Sequence, residues 1–301
     1  MSITVIVTTS PVQSNPSIDM IKRTLSSVKS IMNCKILIIC DGYTTHNKSA
    51  FKSGRVTNEV AENYKQYIIN LKKYLADDEN YQIIERDQRC GFAENVKFCL
   101  NLITTEFVMV VQHDYMFSRS FDFEGVIAKM KEHEEIKYVG LVASSNKHLL
   151  NDIISKQEYN KLYTDIYKLA TGSKDDENIP RLCDFDKKNL VMNYFTEKYK
   201  MPLLPMPFWY DKNHIAKVSH YKEFVFGKYS YLVKNFIEDT LGQAELHEVT
   251  TYGMETINKF GTYLLFDDDK NMCLMHLHGR AFLTDEQRLL KIEQNKQDND
   301  I

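Results

Sequence analysis

Short runs of apolar residues alternate along the first 117 positions with segments in which apolar residues recur every three or four positions. A continuous apolar run bounded by polar residues predicts a strand buried on both faces. The predicted strands cover residues 3–9, 34–40, 81–85 and 105–117. The predicted helices lie between them, at residues 18–30, 64–75 and 91–103. This alternation predicts an α/β fold with right-handed crossovers and a mostly parallel central sheet flanked by helices.

The alternation is looser after residue 117. We predict strands at residues 138–143, 263–266 and 272–276, and helices across the tyrosine-rich stretch 151–200, with a loop at 171–180. A proline-rich aromatic segment, LLPMPFWYDKNH, precedes an amphipathic helical stretch that ends near residue 250. The tail EQNKQDNDI predicts disorder or a fraying helix. No repeat or Gly/Ser linker divides the chain, so both halves are expected to share one sheet.

Composition narrows the class of protein only slightly. The chain has 301 residues, of which 43% are hydrophobic and 26% charged, as in ordinary globular proteins. A net charge of -3 argues against a nucleic-acid partner, which would favour a basic excess. No apolar run approaches the length of a membrane span, and the sequence opens directly on a predicted strand instead of a signal peptide.

The cysteines favour an intracellular protein, and we expect a cytoplasmic one. They are scattered along the sequence without the spacing of a metal site, which predicts reduced thiols. The six are Cys34, Cys40, Cys90, Cys99, Cys183 and Cys273.

Several familiar chemistries lack their motifs here. There is no G-x-x-x-x-G-K-[ST] phosphate loop, no G-x-G-x-x-G after the first strand and no G-x-S-x-G elbow. The remaining candidates are polar residues at predicted strand ends, where ligands bind in parallel sheets. Asp41 could accept hydrogen bonds from the base or ribose of a nucleotide, or it could be an ordinary Asp-Gly turn residue.

Asp114 is the strongest single candidate, because it follows the longest apolar run. A divalent cation bridging a diphosphate takes one or two protein carboxylates and completes its shell with phosphate oxygens and water. The alternative is an aspartate that merely ends a strand. His113 would point the opposite way along a continued strand, so we expect it to line or pack against the site without binding a metal.

The loop before the third helix, DQRCGFAEN, is a second candidate. Gly91 could permit close backbone approach, and Arg89 could reach a diphosphate near the start of the helix. The alternative is a plain loop with a helix-start signal.

The segments ITVIVTTSP, LIICDGY, RDQRCGFAENVKFCL and FVMVVQHDYMF, in this order, resemble the GT-A fold glycosyltransferases, most closely the inverting transferases of family 2. The resemblance covers residues 3–117. It implies a Rossmann-like GT-A fold, with Asp41 on the base and Asp114 on the metal. It also implies nucleotide contacts from two sets of residues, Thr8, Thr9 and Ser10 after the first strand, and Asp87, Gly91 and Asn95 after the third. Gln112 departs from the family, because it replaces the first aspartate of the Asp-x-Asp motif.

Further along, Phe236-Ile237-Glu238-Asp239 resembles the Glu-Asp motif of the same family. The resemblance implies that Asp239 is the catalytic base and that Glu238 orients it or the acceptor. A base is needed because a sugar hydroxyl must lose its proton as it attacks. The alternative is an acidic, solvated helix face.

Two further segments complete the predicted site. In MHLHGR, His276 and His278 would share one face of an extended segment. The resemblance implies a metal-binding histidine here, which favours Mn²⁺ over Mg²⁺, and a packing pair is the alternative. Arg280 could clamp a diphosphate. The acceptor residues are expected in the aromatic segment, namely Trp209, Tyr210 and His214, although such rings are more often core.

These expectations describe an inverting glycosyltransferase that moves a sugar from a nucleotide-diphosphate donor to a glycan or glycoconjugate hydroxyl, with Mn²⁺ or Mg²⁺. Residues 1–145 would bind the nucleotide sugar, residues 146–285 would form a helical and aromatic acceptor half, and residues 286–301 a tail. One alternative is a sugar-nucleotide pyrophosphorylase, disfavoured because SPVQSNPS contains no Gly, Lys or Arg. The other is a degenerate nucleotide-sugar-binding protein, which the glutamine at position 112 keeps open.

Overall fold

The computed structural model describes residues 2–143, 149–174, 182–228, 236–267, 272–279 and 281–284. The strands in this part of the chain are β1 (Ile3–Thr9), β2 (Ile36–Cys40), β3 (Thr44–Thr45), β4 (Arg55–Val56), β5 (Tyr81–Glu85), β6 (Phe107–Gln112), β7 (Tyr115–Phe117), β8 (Tyr138–Leu141), β9 (Leu203–Pro205), β10 (His214–Lys217), β11 (Thr262–Leu265) and β12 (Leu274–His276). The α-helices are α1 (Asp19–Ile31), α2 (Asn58–Leu75), α3 (Phe92–Leu100), α4 (Phe123–Glu132), α5 (Leu149–Ser155), α6 (Asn160–Thr171), α7 (Asp184–Tyr199), α8 (Val218–His220), α9 (Gln243–Tyr252) and α10 (Met254–Phe260). Shorter turns of 3₁₀-helix occupy Phe51–Ser53 and Gln157–Tyr159, and π-helical turns occupy Tyr221–Lys228 and Glu238–Gly242.

Eight strands form one central sheet in the order β5-β2-β1-β6-β10-β8-β11-β9. Six of them run in one direction, and only β10 and β9 run against the rest. The predicted α/β class with a mostly parallel sheet flanked by helices is therefore confirmed. The strand β10 lies between β6 and β8, so residues from the second half of the chain complete the sheet begun by the first.

The core lies on both faces of this sheet. Every residue of β1 and β2 is buried, because helices pack against the two sides of these apolar strands. The helix α2 buries Tyr64, Ile68, Leu71 and Leu75, the positions that its helical period predicts. Burying one such side chain contributes about 1.5–3 kcal/mol, so the parallel half of the sheet is strongly held.

The structure corrects several element boundaries. The predicted strand at 105–117 is two strands, because the chain turns at His113 and Asp114 between β6 and β7. The aromatic segment contains the short strands β9 and β10, which the sequence analysis did not separate. The predicted strand at 272–276 exists as β12, but it pairs with β7 in a small separate sheet.

Some predictions fall outside the described residues. These are the division at residues 145–146, Arg280, the tail at 286–301 and most of the loop at 171–180. Within the residues that the structure does describe, no helix combines the length and apolar content that a membrane span requires.

Candidate active site

An open cleft of about 200 Å³ lies at the carboxyl ends of β1, β2 and β6. It brings together most of the residues that the sequence analysis selected from the first half of the chain. Its lining includes Thr8, Thr9, Ser10, Asp41, Arg89, Gly91, Asn95, His113, Asp114 and Asp239. The cleft continues past Asp114 into a second part lined by Glu238, His276 and His278, and Asp114 and Asp239 belong to both parts.

Asp41 fixes the loop that precedes α3. Its Oδ1 accepts a hydrogen bond from the backbone N–H of Cys90 at 2.8 Å, and its Oδ2 accepts one from Gly91 at 3.1 Å. Gly91 has a φ of 82°, a left-handed conformation that favours glycine. Each carboxylate oxygen has two acceptor positions, so Asp41 can hold this loop and still accept a bond from a ligand in the cleft.

Asn95 is available to a ligand, whereas Asp87 is not in the cleft. Asn95 stands in the first turn of α3, is 2% exposed, and its Oδ1 has no hydrogen-bond partner. A buried acceptor without a partner is costly, so a ligand that donates to this oxygen would be favoured. Asp87 is exposed and does not contribute to the lining.

His113 supports the loop after β1. Its Nδ1 hydrogen-bonds with Oγ1 of Thr9 at 2.7 Å, and its backbone oxygen accepts a bond from Oγ1 of Thr24 at 2.8 Å. Burial lowers the pKa of His113, although the charge of Asp114 partly opposes this. The ring packs beside the cleft and holds the loop after β1 through Thr9.

Asp114 lines both parts of the cleft and has one carboxylate oxygen without a hydrogen-bond partner. Its Oδ2 accepts hydrogen bonds from Nε2 of His276 and from the backbone N–H of Gly279, each at 3.1 Å. Its Oδ1 is buried and has no partner. Burial alone would raise the pKa of Asp114, but the bond from His276, the charges of His113 and His276, and the Gly279 amide lower it to about 2. The group is therefore an ionised carboxylate with a free coordinating atom.

His276 reaches the site as the last residue of β12, and His278 lies just beyond the strand. Pairing with β7 sets His276 opposite Tyr115, and their rings stack at 4.4 Å between centroids. The His278 ring lies 4.3 Å from that of His276. His278 has a φ of 54°, which is uncommon outside glycine and turns the chain so that Gly279 can reach Asp114.

These residues suit the binding of a divalent metal ion whose other ligands come from a diphosphate. The unpaired Oδ1 of Asp114 and the nearby imidazoles of His276 and His278 offer oxygen and nitrogen donors, a mixture that suits Mn²⁺. Across the described ranges, no group of three or more His, Cys, Asp or Glu residues could hold a metal alone. A cation that takes most of its ligands from phosphate and water needs only one or two protein groups.

Asp239 and Glu238 reach the cleft on the segment 236–239. The ring of Phe236 stacks on Phe92 at 5.5 Å, which holds this segment against the start of α3. The side chain of Asp239 is exposed to the cleft. Glu238 is instead engaged by Asp211, because its Oε2 accepts a hydrogen bond from the Asp211 backbone N–H at 3.1 Å.

The structure places two of the three predicted acceptor residues in the core. Trp209 and His214 are both 0% exposed, and both rings pack against Tyr138. The His214 ring nitrogens are already hydrogen-bonded, one to Lys212 and one to Tyr221. Tyr210 is half-buried beneath the ammonium of Lys212, at 4.0 Å from its ring centroid. None of these three rings lines the described cleft.

Phe51 and Lys52 are among the cleft residues that the sequence analysis missed. Phe51 and Lys52 line the cleft from the insertion between β2 and α2, and Lys52 belongs to both parts of it. Arg89 is tied to the same insertion through a hydrogen bond from Nη2 to the Lys52 backbone oxygen at 3.4 Å. The local sequence, NKSAFKSGR, carries no signal beyond that of an ordinary polar connection.

Comparison with known proteins gives distant structural neighbours. No family model matches the chain, and no curated protein matches it. One similar solved structure is the mannosyltransferase PcManGT from Pyrobaculum calidifontis in complex with GDP-Man and Mn²⁺. The two sequences are 11% identical and the TM-score is 0.37. The match covers 74% of this chain and 46% of that chain. A second similar structure is S. aureus TarS 1-349 in complex with UDP-GlcNAc, with 11% sequence identity and a TM-score of 0.43. This match covers 89% of this chain and 57% of that chain. The chain thus spans about half the length of these structures. The neighbours are glycosyltransferases, but likenesses at this distance do not by themselves assign an activity to this chain.

Proposed function

We propose that this protein is an inverting, metal-assisted glycosyltransferase of the GT-A type. It would transfer a hexosyl or pentosyl group from a nucleotide-diphosphate donor to a hydroxyl of a glycan or glycoconjugate. The observation that carries the proposal is the convergence of Asp114 and Asp239 on one cleft, although they are 125 positions apart in sequence. One is a partly buried carboxylate with an unpaired oxygen, and the other is an exposed carboxylate that lines the same cleft.

The nucleotide would lie along the first part of the cleft. Asp41 and the residues Thr8–Ser10 would contact the nucleoside, and the unpaired Oδ1 of Asn95 would accept a bond from it. Arg89 and Lys52 would face the phosphates, because they are the lysine and arginine side chains that line this part of the cleft. No ion pair joins either of them to a carboxylate in the described ranges, which leaves their charge for an anionic ligand.

Asp114 would hold the metal, with His278 or the Nδ1 atom of His276 as a second ligand, because Nε2 of His276 is bonded to Asp114. When bound, Mn²⁺ or Mg²⁺ supplies positive charge that stabilises the departing diphosphate. The unpaired Oδ1 fits this role, because the rest of the carboxylate is already fixed by His276 and Gly279.

Asp239 would accept the proton of the acceptor hydroxyl. As that oxygen forms its bond to the anomeric carbon, the bond from this carbon to the diphosphate oxygen breaks, and its electron pair leaves with the nucleoside diphosphate. A single displacement of this kind inverts the anomeric centre. Asp239 suits the role of base because its carboxylate is exposed in the cleft and makes no side-chain hydrogen bond to the described residues.

A degenerate, non-catalytic nucleotide-sugar-binding protein is the second candidate. Gln112 favours it, because a family member with both aspartates would offer the metal another carboxylate. The alternatives differ at Asp239, which a catalyst needs and a binding protein does not.

The test is release of nucleoside diphosphate from a panel of nucleotide sugars, with Mn²⁺ or with chelator. We expect metal-dependent release from one donor, lost in Asp114→Asn and reduced about 10²–10⁴-fold in Asp239→Asn. Asp77→Asn, a change at an exposed aspartate after α2, is the matched control. Nucleotide binding without turnover, equal in wild type and Asp239→Asn, would support the binding protein instead. Failure to bind any donor would refute both.

A further inference from the structure

The glutamine at position 112 is bonded to the chain just before β10. Its Nε2 donates a hydrogen bond to the backbone oxygen of Asp211 at 2.8 Å. Its backbone N–H donates to Oδ1 of Asn213 at 3.2 Å. Nδ2 of Asn213 in turn donates to the backbone oxygen of Tyr115 at 3.1 Å. The short segment 211–213 thus holds the chain on both sides of Asp114.

The same segment holds the residue before Asp239. Asp211 and Glu238 bond reciprocally: the Asp211 N–H donates to Oε2 of Glu238 at 3.1 Å, and the Glu238 N–H donates to Oδ2 of Asp211 at 3.2 Å. Asp211 is 1% exposed, so this pair is shielded from competing water. A pair of bonds in opposite directions fixes both the distance and the orientation of the two segments.

An aspartate at position 112 could not make the first of these contacts. Its side chain is one methylene shorter than that of glutamine and has no N–H to donate to a carbonyl oxygen. The departure at position 112 therefore exchanges a carboxylate for an amide that is used within the protein. Gln112 contacts Asp211, and Asp211 contacts Glu238, which is the neighbour of Asp239.

We infer that Gln112 and Asp211 are positioning residues that set the separation between Asp114 and Asp239. The inference rests on the proposed function in assuming that these two carboxylates act in one reaction. A displacement of about 1 Å between reacting groups can cost about 100-fold in rate, so a bridge of three hydrogen bonds is sufficient to matter. Gln112 lines both parts of the cleft, and its side-chain amide acts on the two carboxylates through its bond to Asp211.

The test uses the full chain with two changes at position 112 and two at position 211. Gln112→Met keeps the length of the side chain and removes its donor, and Gln112→Glu sets an acceptor against the Asp211 carbonyl. Asp211→Ala removes the acceptor for the Glu238 N–H, whereas Asp211→Asn retains one. Tyr199→Phe is the control, because it removes the buried hydrogen bond between Tyr199 and Tyr263, which lies away from the cleft.

We expect kcat for diphosphate release to fall about 10–100-fold in Gln112→Met, Gln112→Glu and Asp211→Ala, and to recover largely in Asp211→Asn. The dissociation constant for nucleoside diphosphate, measured by calorimetry, should stay within about twofold of wild type, because the Gln112 amide is bonded to Asp211 and is not among the proposed nucleoside contacts. A fall in kcat no larger than that of Tyr199→Phe at equal loss of thermal stability would overturn the inference.

Hydrogen exchange separates this inference from the proposed function. Loss of one bridging bond should speed exchange of the amides at 211 and 236–242 by about fivefold, the factor of one typical hydrogen bond. This measurement needs no turnover. If wild type releases no diphosphate, the proposed function fails, while faster exchange in Gln112→Met still supports the bridge. Unchanged exchange at 236–242 overturns the bridge whatever the activity.

Discussion

The carboxylate of Asp114 and the backbone N–H of Gly279 meet at 3.1 Å across 165 positions of the chain. The approach depends on the absence of a side chain, because a Cβ on Gly279 would lie 2.8 Å from Oδ2 of Asp114. This contact fixes one oxygen of the carboxylate and leaves the other unpaired.

Gly279→Ala should therefore weaken metal use. The added methyl group would push the Asp114 carboxylate from its place, and we expect the Mn²⁺ concentration for half-maximal diphosphate release to rise about 10–100-fold, as when groups that orient a metal ligand are removed. A Mn²⁺ titration measures this. Gly172→Ala is the control, since a Cβ there meets nothing within 4 Å and only its φ of 71° is strained. An unchanged Mn²⁺ requirement in Gly279→Ala would contradict the role given to Asp114.

Lys52→Gln should reduce affinity for the diphosphate and leave affinity for the nucleoside unchanged. A hydrogen bond to a charged group contributes about 1.5–3 kcal/mol, so we expect roughly 10–100-fold weaker binding of the nucleoside diphosphate. Calorimetry with nucleoside and nucleoside diphosphate separates the two. Lys48→Gln, an exposed lysine in the same insertion, is the control. Equal losses of affinity for both ligands would indicate that Lys52 contacts the base instead of the phosphates.

Glu245 makes stability depend on pH. It is 0% exposed, and burial raises its pKa well above the usual value, although contacts with Thr262 and the Trp209 backbone oppose this in part. The folded protein then retains a proton that the unfolded chain releases above about pH 4.3. Stability is fully present below that pH and falls by about 1.4 kcal/mol per pH unit until the folded group also ionises.

Unfolding in urea at pH 5, 7 and 8 tests this. Glu245→Gln should reduce the pH dependence by up to about 1.4 kcal/mol per pH unit and raise the free energy of unfolding at pH 8, because the amide cannot ionise. The slope that remains is expected from Asp211, whose pKa burial also raises well above the usual value. Glu255→Gln, an exposed position on α10, should leave the pH dependence as it is. The explanation fails if Glu245→Gln lowers the free energy of unfolding equally at all three pH values.

The fluorescence of Trp209 should report on the packing of the core and not on acceptor binding. It is the single tryptophan of the chain and is 0% exposed. We expect blue-shifted fluorescence that acrylamide quenches weakly and that saturating donor or acceptor leaves unchanged. In Trp209→Phe, thermal stability should fall while the KM for acceptor stays the same. A specific rise in the acceptor KM would restore the stacking role that the sequence predicts.

The sequence predicts best the elements that are buried on two faces. The strands β1, β2 and β6 are continuous apolar runs, and the acidic residues that end or follow two of them, Asp41 and Asp114, are visible for that reason. The strands β9 and β10 were not separated, because three or four residues carry too short a pattern to distinguish from a loop. Their pairing comes from neighbours far away in the chain.

Site residues that lie at strand ends can be predicted from the sequence. Site residues whose positions depend on tertiary contacts cannot. Asp211 is an acidic residue inside an aromatic segment. These unusual surroundings could have indicated from the sequence that its carboxylate is hydrogen-bonded. Trp209 and His214 were wrongly expected to contact the acceptor. The residue type shows that a side chain is aromatic, but it does not show which residues that side chain packs against. Lys52 lies in a polar connection whose path over the cleft depends on the fold of the whole insertion.

The position of β10 determines when the sheet can be completed during synthesis. The strand β6 ends at Gln112, and the partner along its free edge ends only at Lys217, which is 217 − 112 = 105 residues later. At about 5–20 residues per second, the ribosome needs roughly 5–20 s to deliver that partner. Throughout this interval the emerging chain carries an apolar, unpaired strand edge of the kind that recruits other chains. A fragment that stops before residue 214 would keep that edge permanently, so expression of the first half alone should yield aggregates instead of a separate nucleotide-binding domain.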